Sequence, residues 1–335
     1  MTVSDGGSAT APRVLLGTWP TPLEAAPRLS AHLGLRPGDL WLKRDDLSGL
    51  GGGGNKVRKL EFSCGQALNR GATVLVASGG AQSNYARLAA AAGRRLGLKV
   101  VLVLRGNGPR GRTGNLSLDG LLGARVVWAG DVDAAGLDLA VAATAEELTE
   151  QGERVEVLPF GGSDRNGALG YLEGGRELHD QLPDVEHVVV AGGSGGTMAG
   201  LVAALGAERV LGVDVGAVAD LPARVAALVG AVSDGRTEAS ALRLRRDQAG
   251  AGYGILTPAA SSALEAAAVC EGVILDPVYT AKALAGLAAA VADGDIRPGR
   301  RTVFVHTGGL PGLFGHEVAG ELAARVAQSP DARQS

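Results

Sequence analysis

Residues 51–62 read GGGGNKVRKLEF, so a primary amine, Lys56, directly follows the most permissive backbone in the chain. A neutral lysine adds to carbonyl carbon and accepts a proton at carbon, which makes it a candidate nucleophile and base. An isolated Gly-Asn-Lys is ordinarily a surface turn, so its meaning depends on what else the sequence supplies. A second stretch, AGGSGGTMAG (191–200), follows the apolar run HVVV and opens a helix. Free amides at a glycine-rich helix start suit a phosphate. No G-x-G-x-x-G with a following acid is present, and no lysine precedes Ser or Thr there, so a dinucleotide site and a P-loop are excluded. A phosphate monoester remains. A third stretch, ASGGAQSNYARLAAAAG (77–93), puts Ser83 and Asn84 at a helix start. Such residues ordinarily cap the helix, and the alternative is a hydroxyl with adjacent amides that cradles a carboxylate. G-x-S-x-G is absent, so a nucleophile elbow is not expected.

The elements that position these stretches follow from hydrophobic patterning. Short β-branched runs at 72–77, 99–104, 124–128, 154–159, 187–192, 209–215 and 301–306 alternate with Ala-rich helical stretches. Several runs are continuously apolar, as expected of strands covered on both faces of a parallel sheet. The alternation predicts an α/β fold. Four strand ends carry glycine with small polar residues: ASGGAQSNY, LPFGGSDRNG, VAGGSGGTMAG and VHTGGLPG. Ligands of open α/β sheets bind at the carboxyl ends of strands, so these four predict one shared site.

Composition narrows the function classes. The 335 residues are 46% hydrophobic but only 3% aromatic, so the core is built from Ala, Val and Leu. A formal charge of −3 and few aromatics argue against a nucleic-acid surface. The basic run Arg243-Leu244-Arg245-Arg246 reads as a solvated helix face. Two cysteines, Cys64 and Cys270, provide no disulfide framework. The five histidines lack metal-ligand spacing, so no metal is expected. No apolar run approaches the ~18 residues of a membrane span. The N-terminus lacks the pattern of a signal peptide, and the tail QSPDARQS reads as disordered, so a soluble cytoplasmic protein is expected.

A phosphate loop, a carboxylate cradle and a glycine-flanked lysine together describe a pyridoxal phosphate enzyme acting on a small amino acid. The stretches WLKRDDLSGLGGGGNKVRKLEF, SGGAQSNYARLAA, GGSGGTMAG, DPVYTAKALAG and HTGGLPGLFG run in order through the chain. From about residue 13 to 325 the sequence resembles the D-cysteine desulfhydrase and 1-aminocyclopropane-1-carboxylate deaminase family. These are fold type II pyridoxal phosphate enzymes, related to the tryptophan synthase β chain. The resemblance implies two three-layer α/β domains with mostly parallel twisted sheets and the cofactor between them. Residues 1–56 with 166–330 would form the large domain, 57–165 the small one and 331–335 a disordered tail. A homodimer is the family expectation.

The resemblance also assigns roles. Lys56 matches the Schiff-base lysine, Lys59 a contact to the cofactor phosphate, and Asn84 a contact to the ring 3-hydroxyl. Ser194, Gly195, Gly196 and Thr197 match the phosphate loop. Ser83, with the amides of Asn84 and Tyr85, matches the substrate-carboxylate cradle, although relatives carry Gln or His at the position of Tyr85. Tyr253 and Tyr279 match two active-site tyrosines. Thr280 and Thr307 stand where the resemblance expects neighbours of the ring nitrogen; cyclopropane deaminases carry glutamate at the first and read HLGG at the second. A threonine hydroxyl supports a protonated ring nitrogen less than a carboxylate would, which favours β-elimination of a thiol over ring opening. D-cysteine is the expected substrate. L-cysteate, with Arg165 as a possible cation for its sulfonate, D-serine, the cyclopropane and a non-catalytic binding role are the alternatives. The glycines before Lys56 are expected to let the chain turn against a flat cofactor, with Asn55 orienting that turn.

Overall fold

The computed structural model describes residues 11–108, 113–233, 235 and 237–327. The expectations for the first ten residues and for the tail QSPDARQS therefore lie outside the described residues. Strands β1 (Leu23–Ala25) and β2 (Leu40–Lys43) come first. They are followed by β3 (Val74–Gly80), β4 (Lys99–Arg105), β5 (Arg125–Trp128) and β6 (Val155–Val157). Then come β7 (His187–Gly192), β8 (Val210–Asp214), β9 (Arg243–Arg245) and β10 (Thr302–Val305). They form a six-stranded sheet in the order β1-β2-β10-β7-β8-β9 and a four-stranded sheet in the order β5-β4-β3-β6. Among the pairs these strands form, β1–β2 is antiparallel and the others are parallel.

The continuous apolar runs are explained by burial on both faces of each sheet. In the larger sheet Val188, Val190, Val303 and Val305 pack with the Arg165–Gln181 and Gly196–Leu205 helices. Their neighbours Val189, Leu42 and Phe304 face the opposite layer, built on the Pro258–Glu271 and Thr280–Ala292 helices. The smaller sheet splits the same way. Leu75, Leu102 and Leu104 meet the Lys56–Asn69 and Asn84–Leu96 helices, whereas Val74, Val76, Val101 and Val103 meet Leu137, Val141 and Leu148. Alternate side chains point to opposite faces, so a strand between two helical layers needs apolar residues at every position. The two sheets give a natural division, and we propose that they are the cores of the two domains.

One expectation is corrected here. Arg243–Arg245 is not a helix face but β9, paired with β8 at the sheet edge. Arg243 bonds Asp295 at 2.8 Å, while Arg245 bonds Asp293 at 2.7 Å and Asp247 at 2.6 Å. A short, charged edge strand discourages pairing with another chain. A three-residue run is too short to separate period 2 from period 3.6.

Candidate active site

The carboxyl ends of β3, β7 and β10 converge with the start of the Lys56–Asn69 helix on one cavity of about 360 Å³. It is lined by Lys56, Ser83, Asn84, Tyr85, Ser194, Gly195, Thr197, Tyr253, Tyr279 and Thr307. Lys56 and Thr307, 251 positions apart, thus meet at one site, as the four glycine-bearing strand ends predict. Gly196 and Lys59 lie just behind this lining, because a Cβ on Gly196 would sit 2.8 Å from Lys59 Nζ.

The glycines before Lys56 are required by the protein's own backbone. Gly53 has φ +73°, and a Cβ there would lie 1.9 Å from the carbonyl oxygen of Asp46. Gly54 has φ +126°, with Thr307 O 3.3 Å from its would-be Cβ. The expected contact with a flat ligand is thus preceded by a steric demand within the protein. Asn55 does more than orient the turn. Its amide N–H donates to Thr307 O at 2.9 Å and its Nδ2 to Thr197 Oγ1 at 3.0 Å. It therefore joins the lysine turn to both the phosphate loop and the end of β10.

Lys56 and Lys59 lie one helical turn apart and donate to the same carbonyl, Gly161 O, at 3.3 and 3.2 Å. Lys59 also donates to Ser163 Oγ at 3.3 Å, and Ser163 Oγ lies 2.7 Å from Ser194 Oγ. The Gly196 amide donates to Ser163 Oγ at 3.1 Å. Burial lowers the Lys56 amine to about 8. Burial, followed by the neighbouring charge of Lys56, also lowers Lys59, against an opposing pull from Asp164. Two enclosed amines, with no carboxylate hydrogen-bonded to either among the described residues, lie beside a helix N-terminus, and a bound anion would favour their charged forms. This is an environment that suits a phosphate dianion. Gly161 is required by its close packing there, since a Cβ on it would stand 2.4 Å from Ser194 Oγ.

The lowered value makes loading of the cofactor pH-dependent. Attack on an aldehyde needs the neutral amine, whose fraction rises with pH and levels off above the pKa. The rate at which apoenzyme acquires a visible band with pyridoxal phosphate is expected to rise from pH 6 and flatten near 8. A rate still climbing towards 10.5 would mean an amine with the ordinary value.

Ser83 caps the Asn84–Leu96 helix, accepting from the Ala86 amide at 3.2 Å, so its capping and its place in the cavity coexist. Asn84 Oδ1 accepts from Asn115 Nδ2 at 2.9 Å. The ring of Tyr85 is buried against Gly162, and its hydroxyl has no hydrogen-bond partner among the described residues. Burial raises that phenol well above its ordinary value. Tyr253 and Tyr279 meet edge to face with centroids 6.0 Å apart, their hydroxyls in direct contact. Tyr253 keeps 52% of its surface exposed while its hydroxyl end is enclosed, and both phenols are raised above their ordinary value by that enclosure. At neutral pH they are hydrogen-bond donors and not bases.

Thr280, expected beside the ring nitrogen, does not line the cavity. It is fully buried, and its hydroxyl exchanges hydrogen bonds with Asp276, accepting from the backbone amide at 2.7 Å and donating to Oδ1 at 2.7 Å. Asp276 lines the cavity in its place. Its carboxylate also accepts from the amides of Val278, Tyr279 and Thr280 at 2.8–3.0 Å. This arrangement caps the Thr280–Ala292 helix. Sequence reasoning gave Asn55 only the orienting of the turn, and missed Gly161, Ser163 and Asp276. The strand-end pattern in LPFGGSDRNG pointed to two of them, and D-x-x-x-T at a helix start could have pointed to the last. Arg165 is exposed and donates to Ala231 O at 3.1 Å, away from the cavity.

Among known proteins, the family described as pyridoxal-phosphate dependent enzyme matches residues 14–308. A D-cysteine desulfhydrase of Klebsiella pneumoniae is 40% identical over 322 residues, spanning 91% of this chain and 96% of that protein. A Pyrococcus abyssi protein with a provisional 1-aminocyclopropane-1-carboxylate deaminase name is 39% identical over 319 residues, spanning 90% and 93%. The crystal structure of an ACC deaminase homologue superposes with a TM-score of 0.82 at 36% identity, covering 94% of this chain and 97% of that one. The chain belongs to the pyridoxal-phosphate dependent enzymes, with the architecture of fold type II, and its cofactor is pyridoxal 5'-phosphate. Within that family it groups with the D-cysteine desulfhydrases and 1-aminocyclopropane-1-carboxylate deaminase homologues. No helix among the described residues is long and apolar enough to cross a membrane.

Proposed function

We propose that the protein is a carbon–sulfur lyase that converts D-cysteine and water to pyruvate, hydrogen sulfide and ammonia. When bound, the cofactor supplies an electron sink for the pair left on Cα after deprotonation. Lys56 would hold the cofactor aldehyde covalently, be released by the substrate amine, and take the Cα proton on Nζ. An amine lowered to about 8 accepts that proton near neutral pH. Ser83 with the amides of Asn84 and Tyr85 would hold the substrate carboxylate. Lys59, Ser194, Thr197 and the Gly195–Gly196 turn would hold the phosphate.

The observation that carries the choice of reaction concerns the cavity's acid. Asp276 is the only acidic residue among the described residues lining the cavity, and both its oxygens are already engaged. A carboxylate spread over four donors is a poor partner for a protonated ring nitrogen. The weaker electron sink that results suffices for loss of a thiol and disfavours opening a cyclopropane. The tyrosine pair agrees with this. Hydrosulfide leaves as an anion, whereas loss of hydroxide from D-serine needs an acid stronger than these raised phenols. A sulfonate leaving group would want a cation, and Arg165 does not reach the cavity.

The test is product release from D-cysteine, L-cysteine, L-cysteate, D-serine and 1-aminocyclopropane-1-carboxylate. Pyruvate from D-cysteine is expected at more than about 10-fold the kcat/KM of the others. Formation of 2-oxobutyrate from the cyclopropane at a matching rate would refute the argument from Asp276. Turnover of none of them, with the cofactor band present, would favour a binding role.

A further inference from the structure

Arg87 has the largest fully buried side chain among the described residues, with 0% exposure, and it does not line the cavity. It makes no ion pair among the described residues. Both Nη1 and Nη2 donate to Gly53 O at 3.1 Å, and Nη1 also donates to Gly51 O. Its Nε donates to Asn115 Oδ1 at 2.9 Å. Asn115, equally buried, donates from Nδ2 to Asn84 Oδ1 and to Gln82 O, each at 2.9 Å. Asp119 acts on Arg87 through its charge, and burial pushes that carboxyl up to about 7. One guanidinium thus touches the turn leading into Lys56 and, through one amide, the side chain of Asn84 in the cavity.

The direction of this relay is forced. A guanidinium only donates, so Asn115 must turn its oxygen to Arg87. That leaves the Asn115 NH2 group for Asn84, which must answer with its own oxygen. Asn84 lines the cavity, so its NH2 group is the one it can present there. We propose that Arg87 is a positioning residue that makes Asn84 a hydrogen-bond donor towards the bound cofactor. It also holds the Gly51–Gly53 carbonyls so that Lys56 enters the site at a set angle. The contact of Asn84 with the cofactor is the one the family resemblance already implies; what is new is the part of Arg87 in fixing its direction. This inference rests on the cofactor that the family takes and is independent of which amino acid is turned over.

Asn115→Asp tests the polarity without altering size. An aspartate presents only acceptors, so it keeps Arg87 satisfied and obliges Asn84 to turn its NH2 group away from the cavity. The expected result is a cofactor affinity about 10- to 100-fold weaker, with a changed ratio of the long- to short-wavelength bands of bound cofactor. Arg87→Lys, still a donor, should retain more of the native spectrum than Arg87→Met. If these variants fold and bind the cofactor within twofold of the parent with an unchanged spectrum, the proposal is overturned. Should they fail to fold, the unaltered holoenzyme decides the matter. The side-chain NH2 resonance of Asn84, in protein labelled with 15N at asparagine, must shift on cofactor loading. An unmoved resonance also overturns the proposal. Inactivity on every amino acid with these spectral effects intact would count against the proposed reaction alone.

Discussion

Lys56→Ala is expected to lose activity by a factor on the order of 10⁴ or more, because one substitution removes the covalent anchor and the base at Cα. The purified variant should lack the visible band when supplied with pyridoxal phosphate, and pyruvate release from D-cysteine should fall to background. The fold should survive, since among the described residues Lys56 Nζ makes one hydrogen bond, at 3.3 Å to Gly161 O. Its pKa is lower in the folded protein, about 8, than the ordinary 10.5, so the charged amine costs folding free energy while both states are protonated. Removing it should therefore raise stability below pH 8. That gain should fade as pH rises from about 8 to 10.5, where only the unfolded chain still holds the proton. Denaturant midpoints at pH 6.5 and 9.5 provide the comparison. Residual activity above one part in about 100 would exclude Lys56 as the base.

Thr280→Glu is expected to destabilise the protein by roughly 3–5 kcal/mol, because it sets a second buried carboxylate against Asp276. The parent threonine is 0% exposed, and its hydroxyl donates to Asp276 Oδ1 at 2.7 Å. Glutamate would lose that bond and bring charge where none can be solvated. Thr280→Val, which loses only the hydroxyl, should cost about 1–3 kcal/mol. Urea unfolding of the three proteins measures both differences. Resemblance alone would expect the glutamate variant to gain ring-opening activity. A variant as stable as the parent that releases 2-oxobutyrate would show that residue 280 reaches the cofactor after all.

The sheets were legible because strands buried on both faces leave an unmistakable mark, as in KVVLVL and HVVV. The β9 edge strand was not, since Arg243–Arg245 carries neither an apolar run nor a period. Within the site, Lys56, Ser83 and the 194–197 loop announced themselves by glycine context and helix starts. Gly161 and Ser163 contribute a backbone carbonyl and a hydroxyl that acquire meaning only through the two lysines they meet. Arg87 is the extreme case. On sequence it is one cation in an Ala-rich amphipathic helix, where the expected place is the solvent face.

What the sequence determined by itself was the chemistry available: a lysine in a glycine turn, a phosphate-binding helix start and a Ser-Asn pair, on an α/β scaffold. These are local properties, set by backbone permissiveness and hydrophobic period, and they need no knowledge of distant contacts. Only the tertiary structure decided which groups share the cavity and in what state. It drew Thr280 away from the cavity and left Asp276 there with its oxygens engaged. It placed two amines on one carbonyl, so that burial lowers both. It also turned a buried arginine into the origin of a hydrogen-bond relay. Burial, hydrogen-bond direction and pKa depend on atoms contributed by segments far apart in the chain, and those atoms meet only on folding.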